Sequence, residues 1–194
     1  MKTIRIVIQE TVSEKNVDAA AWDNDWSLIK TIKADENTPH EAIWCDSIEN
    51  VNIHYIEDFY IGIAYFVLRG DELDSVIEDI RATLPTYTED DVFKMLEDYK
   101  DDQDNLVKAI YYLGLIAPQQ FSPLYFNLFK DVLSHKDPIV RSAVITAIGY
   151  LGWQAFKDLL EPLQNSDPDL EVRKDASVML SGFELYTPDT VIAS

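Results

Sequence analysis

The stretch Asp137-Pro138-Ile139-Val140-Arg141-Ser142-Ala143-Val144-Ile145-Thr146-Ala147-Ile148-Gly149-Tyr150-Leu151-Gly152 returns 32 positions later as Asp169-Leu170-Glu171-Val172-Arg173-Lys174-Asp175-Ala176-Ser177-Val178-Met179-Leu180-Ser181. Val140-Arg141 aligns with Val172-Arg173. A small residue on the next turn and an apolar residue before Gly149 or Ser181 also correspond. A weaker copy lies upstream in Asp104-Asn105-Leu106-Val107-Lys108-Ala109-Ile110-Tyr111-Tyr112-Leu113-Gly114. There Leu113-Gly114 matches Ile148-Gly149 at an offset of 35, and Asn105-Leu106 replaces Val-Arg. A period of this size marks helix pairs that cannot bury their apolar stripes alone and must stack.

Local signals agree with that reading. Ser122-Pro123 and Asp137-Pro138 each place a capping side chain before a proline suited to the first helical position. Asp137 and Asp169 are placed to accept from free amides at a helix start. Ala143, Ala147 and Ala176 are small enough for close helix approach. The spacing predicts helices at about 104–116, 122–134, 138–151, 153–165 and 169–182.

The pattern of loop Asp, Val-Arg, small residues and Leu-Gly resembles the HEAT-like helical repeat. The resemblance is to the short variety found in phycobilisome lyases and many bacterial proteins. Asn165-Ser166-Asp167-Pro168-Asp169-Leu170-Glu171-Val172-Arg173 follows it closely, and the copies cover roughly residues 89–182. The resemblance implies a short right-handed α-solenoid of stacked antiparallel helix pairs. It also implies that Arg141 and Arg173 bridge to loop aspartates of a neighbouring repeat. Such repeats host many partners, so the resemblance says little about function.

Upstream of the helices the period is that of strands. Ile4, Ile6 and Ile8 alternate with Thr3, Arg5 and Val7. Trp26–Ile32, Ala42–Cys45, Val51–Ile56 and Tyr60–Leu68 are further strand segments, with Glu57-Asp58-Phe59 as the expected turn of a hairpin. From Asp71 the period becomes helical, with Leu73, Val76, Ile77, Ile80 and Leu84 on one stripe, Asp71 as the expected cap and Pro85 as the stop. Thr88-Glu89-Asp90-Asp91 resembles a capping box with Asp in place of Glu. It opens a helix that buries Val92, Phe93 and Leu96.

The chain has 194 residues, 47% of them hydrophobic and 11% aromatic, which argues against disorder despite a formal net charge of −19. That charge disfavours direct contact with a nucleic-acid backbone. Residues 1–70 carry 6 basic and 12 acidic side chains, and residues 71–104 carry 3 and 13. Residues 105–194 carry 7 and 10. More than half of the excess therefore lies in the middle segment. Cys45 is the sole cysteine, so no internal disulfide or cysteine-based zinc cage can form. The amino terminus reads as a strand rather than a signal peptide, and no apolar run reaches the ~18 residues of a membrane helix. A cytoplasmic location follows as the expectation.

Catalytic motifs do not stand out. His40, His54 and His135 are far apart, and no nucleophile elbow, phosphate loop or paired metal-ligand helix motif occurs. His135 reads as a solvated turn residue and His54 as a hydrogen-bonded sheet histidine. The acidic groups Asp101, Asp102, Asp104 and Asp167, Asp169, Glu171 lack the central Gly and terminal Glu of a calcium loop, so capping explains them. Cys45 follows Trp44 in an apolar context, has no nearby basic residue and reads as a buried, inert thiol. Trp22, Trp26, Trp44 and Tyr55 read as core, although Trp22 and Trp26 could anchor a partner if exposed.

These readings combine into an α+β protein. A β-rich α+β unit spans about 1–84, HEAT-like repeats about 85–186, and a tail 187–194. The expected function is a non-catalytic protein-interaction module, an adaptor, regulator or immunity-type inhibitor, without cofactor or metal. Its expected partner surface is Asp71, Glu72, Asp74, Glu78, Asp79, Glu89, Asp90, Asp91, Glu97 and Asp98, facing a basic protein. The competing reading of those carboxylates is a solvated helix face. Asp137, Arg141, Asp169 and Arg173 are assigned to the repeat framework. The alternative functions are an accessory to a bilin lyase-type enzyme, which the resemblance alone implies, and a structural homo-oligomer subunit.

Overall fold

The structure is a computed structural model that describes residues 1–46, 48 and 50–185. It is a mixed α+β protein with two compact units, Met1–Asp91 and Val92–Ser194. The expected tail 187–194 lies outside the described residues.

The first unit is a five-stranded antiparallel sheet with two helices. Its strands are β1 (Lys2–Val7), β2 (Ser27–Ile32), β3 (His40–Asp46), β4 (Val51–Asp58) and β5 (Ile63–Gly70), in the order β1-β5-β4-β3-β2. Register places Ile6, Phe66, Tyr55 and Ala42 in one rank, and Leu68, Ile53 and Trp44 in the next. These residues form one core with Val17, Ala20 and Ala21 of α1 (Glu14–Asp23) and Val76 and Ile80 of α2 (Asp74–Thr83). The alternation of the strands thus buries one sheet face under both helices.

Four details depart from the sequence reading. Helix α1 was not expected. Its buried stripe is narrow and built largely from alanine, and Asn16, three residues after the cap Ser13, closes a capping box with an amide oxygen that accepts from the Ser13 N–H (2.9 Å) and hydroxyl (2.6 Å). Asp71 does not cap α2, which begins three residues later; it pairs with the amino-terminal ammonium at 3.0 Å. The β4–β5 connection is Phe59–Gly62 rather than 57–59. Gly62 supplies the left-handed conformation (φ 67°), and Asp58 accepts from the Tyr60 N–H. Finally, the outer side of β1 continues into residues 85–87, through Gln9 N–H to Pro85 O (3.0 Å) and Tyr87 N–H to Val7 O (2.9 Å).

The second unit is helical. It takes up the body of α3 (Glu89–Asp98), then α4 (Gln103–Ile116), α5 (Pro123–Val132) and α6 (Pro138–Gly149). A short 3-10 turn (Gln154–Phe156) follows, then α7 (Lys157–Ser166) and α8 (Leu170–Leu185). Helix α6 packs on both α4 and α8, α5 packs on α6, and α7 packs on α8. At Gly114 an added Cβ would stand 2.8 Å from the Ala147 carbonyl, so α4 and α6 meet backbone to backbone. An aromatic chain links the other helices. Phe93 of α3 meets Tyr125 of α5, and Phe126 and Phe129 of α5 meet Phe156 before α7.

Candidate functional site

Two features carry chemistry in this chain, the acidic helices and the turns that start α6 and α8.

The turns come first because they repeat. Before α6, the Asp137 N–H donates to His135 Nδ1 (3.1 Å), the Asp137 carboxylate accepts from the Ile139 N–H (2.9 Å), and Arg141 Nη1 donates to the His135 carbonyl (2.8 Å). Before α8, the Asp169 N–H donates to Asp167 Oδ1 (2.9 Å), the Asp169 carboxylate accepts from the Glu171 N–H (2.8 Å), and Arg173 donates to the Asp167 carbonyl. Each bond has its counterpart 32 residues away. The predicted caps Asp137 and Asp169 are therefore seated in one turn geometry used twice.

Arg141 also crosses to the next turn. Its Nε and Nη2 donate to Asp167 Oδ2 (2.8 Å) and Oδ1 (2.7 Å), a bidentate pair with side chains 8% and 3% exposed. Burial opposes ionisation of Asp167. The Arg141 bonds, the Asp169 N–H and the charges of Arg141 and Arg173 outweigh it and hold the carboxyl below its usual range. Arg173 makes only the contact within its own turn among those seen here. His135 is half-buried and accepts a backbone hydrogen bond, so it is not the solvated residue its position beside Lys136 suggested. The extended reach of Gln103, whose amide donates to Asp137 Oδ2 at 2.6 Å, had no sequence signal.

The ten predicted partner-binding carboxylates lie on or beside α2 and α3. Nine are exposed and Asp79 is half-buried. Asp71 is engaged by the amino terminus, and Asp91 accepts from the Thr88 N–H and hydroxyl in the expected capping box. Glu89, Asp90 and Asp91 occupy the first turn of α3, where the helix dipole favours negative charge. Asp74 has the same position on α2. Glu97 and Asp98 are different. They stand in the last turn of α3, which holds no basic residue, where the dipole disfavours carboxylates. Among the described residues neither takes part in an ion pair.

The remaining candidates fall into place individually. Trp26, Trp44 and Tyr55 are core, while Trp22 is 83% exposed. His54 Nδ1 lies 2.6 Å from Glu41 Oε1, and His40 Nε2 lies 3.1 Å from Glu14 Oε1. The half-buried Cys45 thiol donates to the Asp46 carbonyl. Among the described residues no three His, Cys, Asp or Glu side chains gather into a metal-binding group, and no helix is long and apolar enough to cross a membrane. Set against protein-family models, curated proteins and solved structures, the chain matches none. The functional reading therefore rests on the chain's own geometry.

Proposed function

We propose that this chain is a non-catalytic protein-interaction module, an adaptor, regulator or inhibitor, that captures a basic protein in the cytoplasm through the carboxylates of α2 and α3. We infer that its helical unit is a short HEAT-like stack. The twice-used turn geometry and the packing of α4, α6 and α8 in succession support that part of the reading.

The observation that carries the functional part is the placement of Glu97 and Asp98. Acidic residues at a helix start need no functional explanation, because they stabilise it. At a helix end they cost about 0.3–1 kcal/mol each. Carboxylates that weaken their own helix support a use outside the chain.

The test separates stability from binding. Glu97→Lys with Asp98→Lys is expected to raise stability in urea unfolding by about 0.6–2 kcal/mol. The same variant is expected to lose a partner that the unchanged chain captures at low salt and releases as salt rises. Capture that is indifferent to both salt and charge reversal refutes the acidic surface as the binding site.

A further inference from the structure

Helix α8 packs on α6 and α7 and leaves a third side uncovered. Six large apolar side chains are exposed in residues 92–185, and three of them stand on this helix: Leu170 (55%), Val178 (73%) and Leu185 (73%). At about 100° per residue they fall within one sector about 80° wide, so they form a stripe. The ends of α8 also carry the wrong charges for its dipole. Arg173 stands in the first turn and Glu184 in the last, which holds no basic residue. Neither charge is matched inside the chain. Arg173 Nη1 donates to the Asp167 carbonyl, while its Nε and Nη2, the atoms with which Arg141 holds Asp167, find no acceptor among the described residues. The Glu184 carboxylate takes part in no ion pair among them.

We propose that the uncovered side of α8 is a homodimer surface, on which the α8 of a second copy lies antiparallel. Leu170 and Leu185 are the first and last residues of the helix. A two-fold axis between Ser177 and Val178 therefore sets Leu170 of each copy against Leu185 of the other, with Val178 of both copies at the crossing. Lys174 falls opposite Ser181 of the other copy, where a small side chain leaves room for its stem. The pairing also answers the charges. Arg173 and Glu184 lie about 20° apart around the helix, on one flank of the stripe, and the two-fold maps that flank onto itself. Each Arg173 then faces the Glu184 of the other copy, offset by about 3 Å along the axis, a gap an arginine side chain spans. Each charge also lies beside the end of the partner helix whose dipole favours it.

Other carboxylates near this flank are already engaged. Asp167 is matched by Arg141, Asp169 accepts from the Glu171 and Val172 N–H groups, and Glu171 pairs with Lys174 at 2.6 Å. Asp175 lies on the other side of the helix, within electrostatic reach of Tyr111 of α4. Repulsion between copies is also smallest here, since residues 105–194 carry 7 basic and 10 acidic side chains against 9 and 25 in residues 1–104. This surface is separate from the carboxylates of α2 and α3, so either reading can fail alone.

Sedimentation equilibrium of the full chain tests the proposal. The contact is a single helix pair about 24 Å long, at the small end of interface sizes, so a dimer with Kd of about 10–100 µM is expected. Val178→Asp, at an exposed position, places two carboxylates at the crossing and is expected to abolish the dimer with an unchanged circular dichroism spectrum. Glu184→Lys is expected to weaken it about tenfold without lowering the thermal unfolding temperature, because the new charge suits its own helix end. Under a mild oxidant, in a Cys45→Ser background, Val178→Cys is expected to cross-link to itself. Leu170→Cys is not, because the two copies of that position lie about 22 Å apart. A full chain that stays monomeric at about 500 µM overturns the proposal; if removal of residues 186–194 then lets it dimerise, the chain's own terminus is the occupant instead. A dimer indifferent to Val178→Asp and Glu184→Lys also overturns it, as does self-cross-linking of Leu170→Cys.

Discussion

Asp167→Ala is the perturbation that tests the helical framework most sharply. The substitution removes two charge-assisted bonds from Arg141, at 2.8 and 2.7 Å, and the acceptor of the Asp169 N–H at 2.9 Å. Arg141 keeps only the carbonyls of His135 (2.8 Å) and Lys136 (3.1 Å), both taken by Nη1. Its Nε and Nη2 are left unpaired on a side chain 8% exposed. Stripping one partner from a buried pair costs about 3–5 kcal/mol. The retained carbonyls favour the lower end, about 3 kcal/mol. Asp167→Asn keeps an acceptor and is expected to cost less, about 1.5–3 kcal/mol.

The control removes both charges. Arg141→Met with Asp167→Leu leaves no orphaned ion, although the Asp169 N–H and the carbonyls of His135 and Lys136 each lose a partner. The double variant is expected to cost less than the sum of the two single changes by about 1–3 kcal/mol. Urea unfolding followed by far-ultraviolet circular dichroism reads the unchanged chain, the single variants and the double variant. The pH dependence supplies a second check. The folded carboxyl of Asp167 is depressed, so its contribution is complete above the unfolded value of about 3.9 and is lost as pH falls through the folded one. The gap between the unchanged chain and Asp167→Ala must therefore close in acid. A cost below about 1 kcal/mol, or additive single changes, refutes the reasoning.

Gly114→Ala drives a Cβ to 2.8 Å from the Ala147 carbonyl, and is expected to cost about 1–3 kcal/mol; at Gly149 the added Cβ meets only the flexible end of Met179, so Gly149→Ala is expected to be near neutral in thermal unfolding. Burial, followed by Asp58, pushes the Tyr65 hydroxyl up to about 12. Its contribution to stability is full below the ordinary value of 10 and is lost as pH rises to about 12, so an alkaline ultraviolet titration should find Tyr65→Phe the more resistant chain.

The helical half was readable because its signals are local and repeated. Asp and Pro at a helix start and Val-Arg one turn later serve their own turn before they serve any neighbour, so spacing alone exposes them. The choice among Asp167, Asp169 and Glu171 was not readable. All three are alternating acids in one loop, and only the position of Arg141, 26 residues upstream, gives the first a buried partner. Helix α1 was hidden for a different reason. Its apolar face is Val17, Ala20 and Ala21, too weak a stripe to compete with the tryptophans that flank the turn after it. Spacing alone cannot rank the ten candidate carboxylates. Helix ends, fixed only by the fold, divide Glu89 and Asp90 from Glu97 and Asp98.

The turn geometry also explains why the upstream copy is degenerate. In both good copies the arginine first serves its own turn, through the carbonyl six residues before it. The pair with the following turn is an addition, made only where a carboxylate stands at that turn's first position, as Asp167 does for Arg141. In the upstream copy Leu106, 3% exposed, occupies the arginine position, and the first position of the turn that follows holds His135 rather than an aspartate. Both halves of the charged pair are missing together. An arginine at the buried position 106 would find no aspartate at the first position of the following turn, and a buried cation without a counter-charge costs several kcal/mol. His135 Nδ1 accepts the Asp137 N–H in the place that Asp167 Oδ1 takes for Asp169. The upstream copy thus lacks both halves of the Arg141–Asp167 pair, while the turn before α6 keeps its own hydrogen bonds.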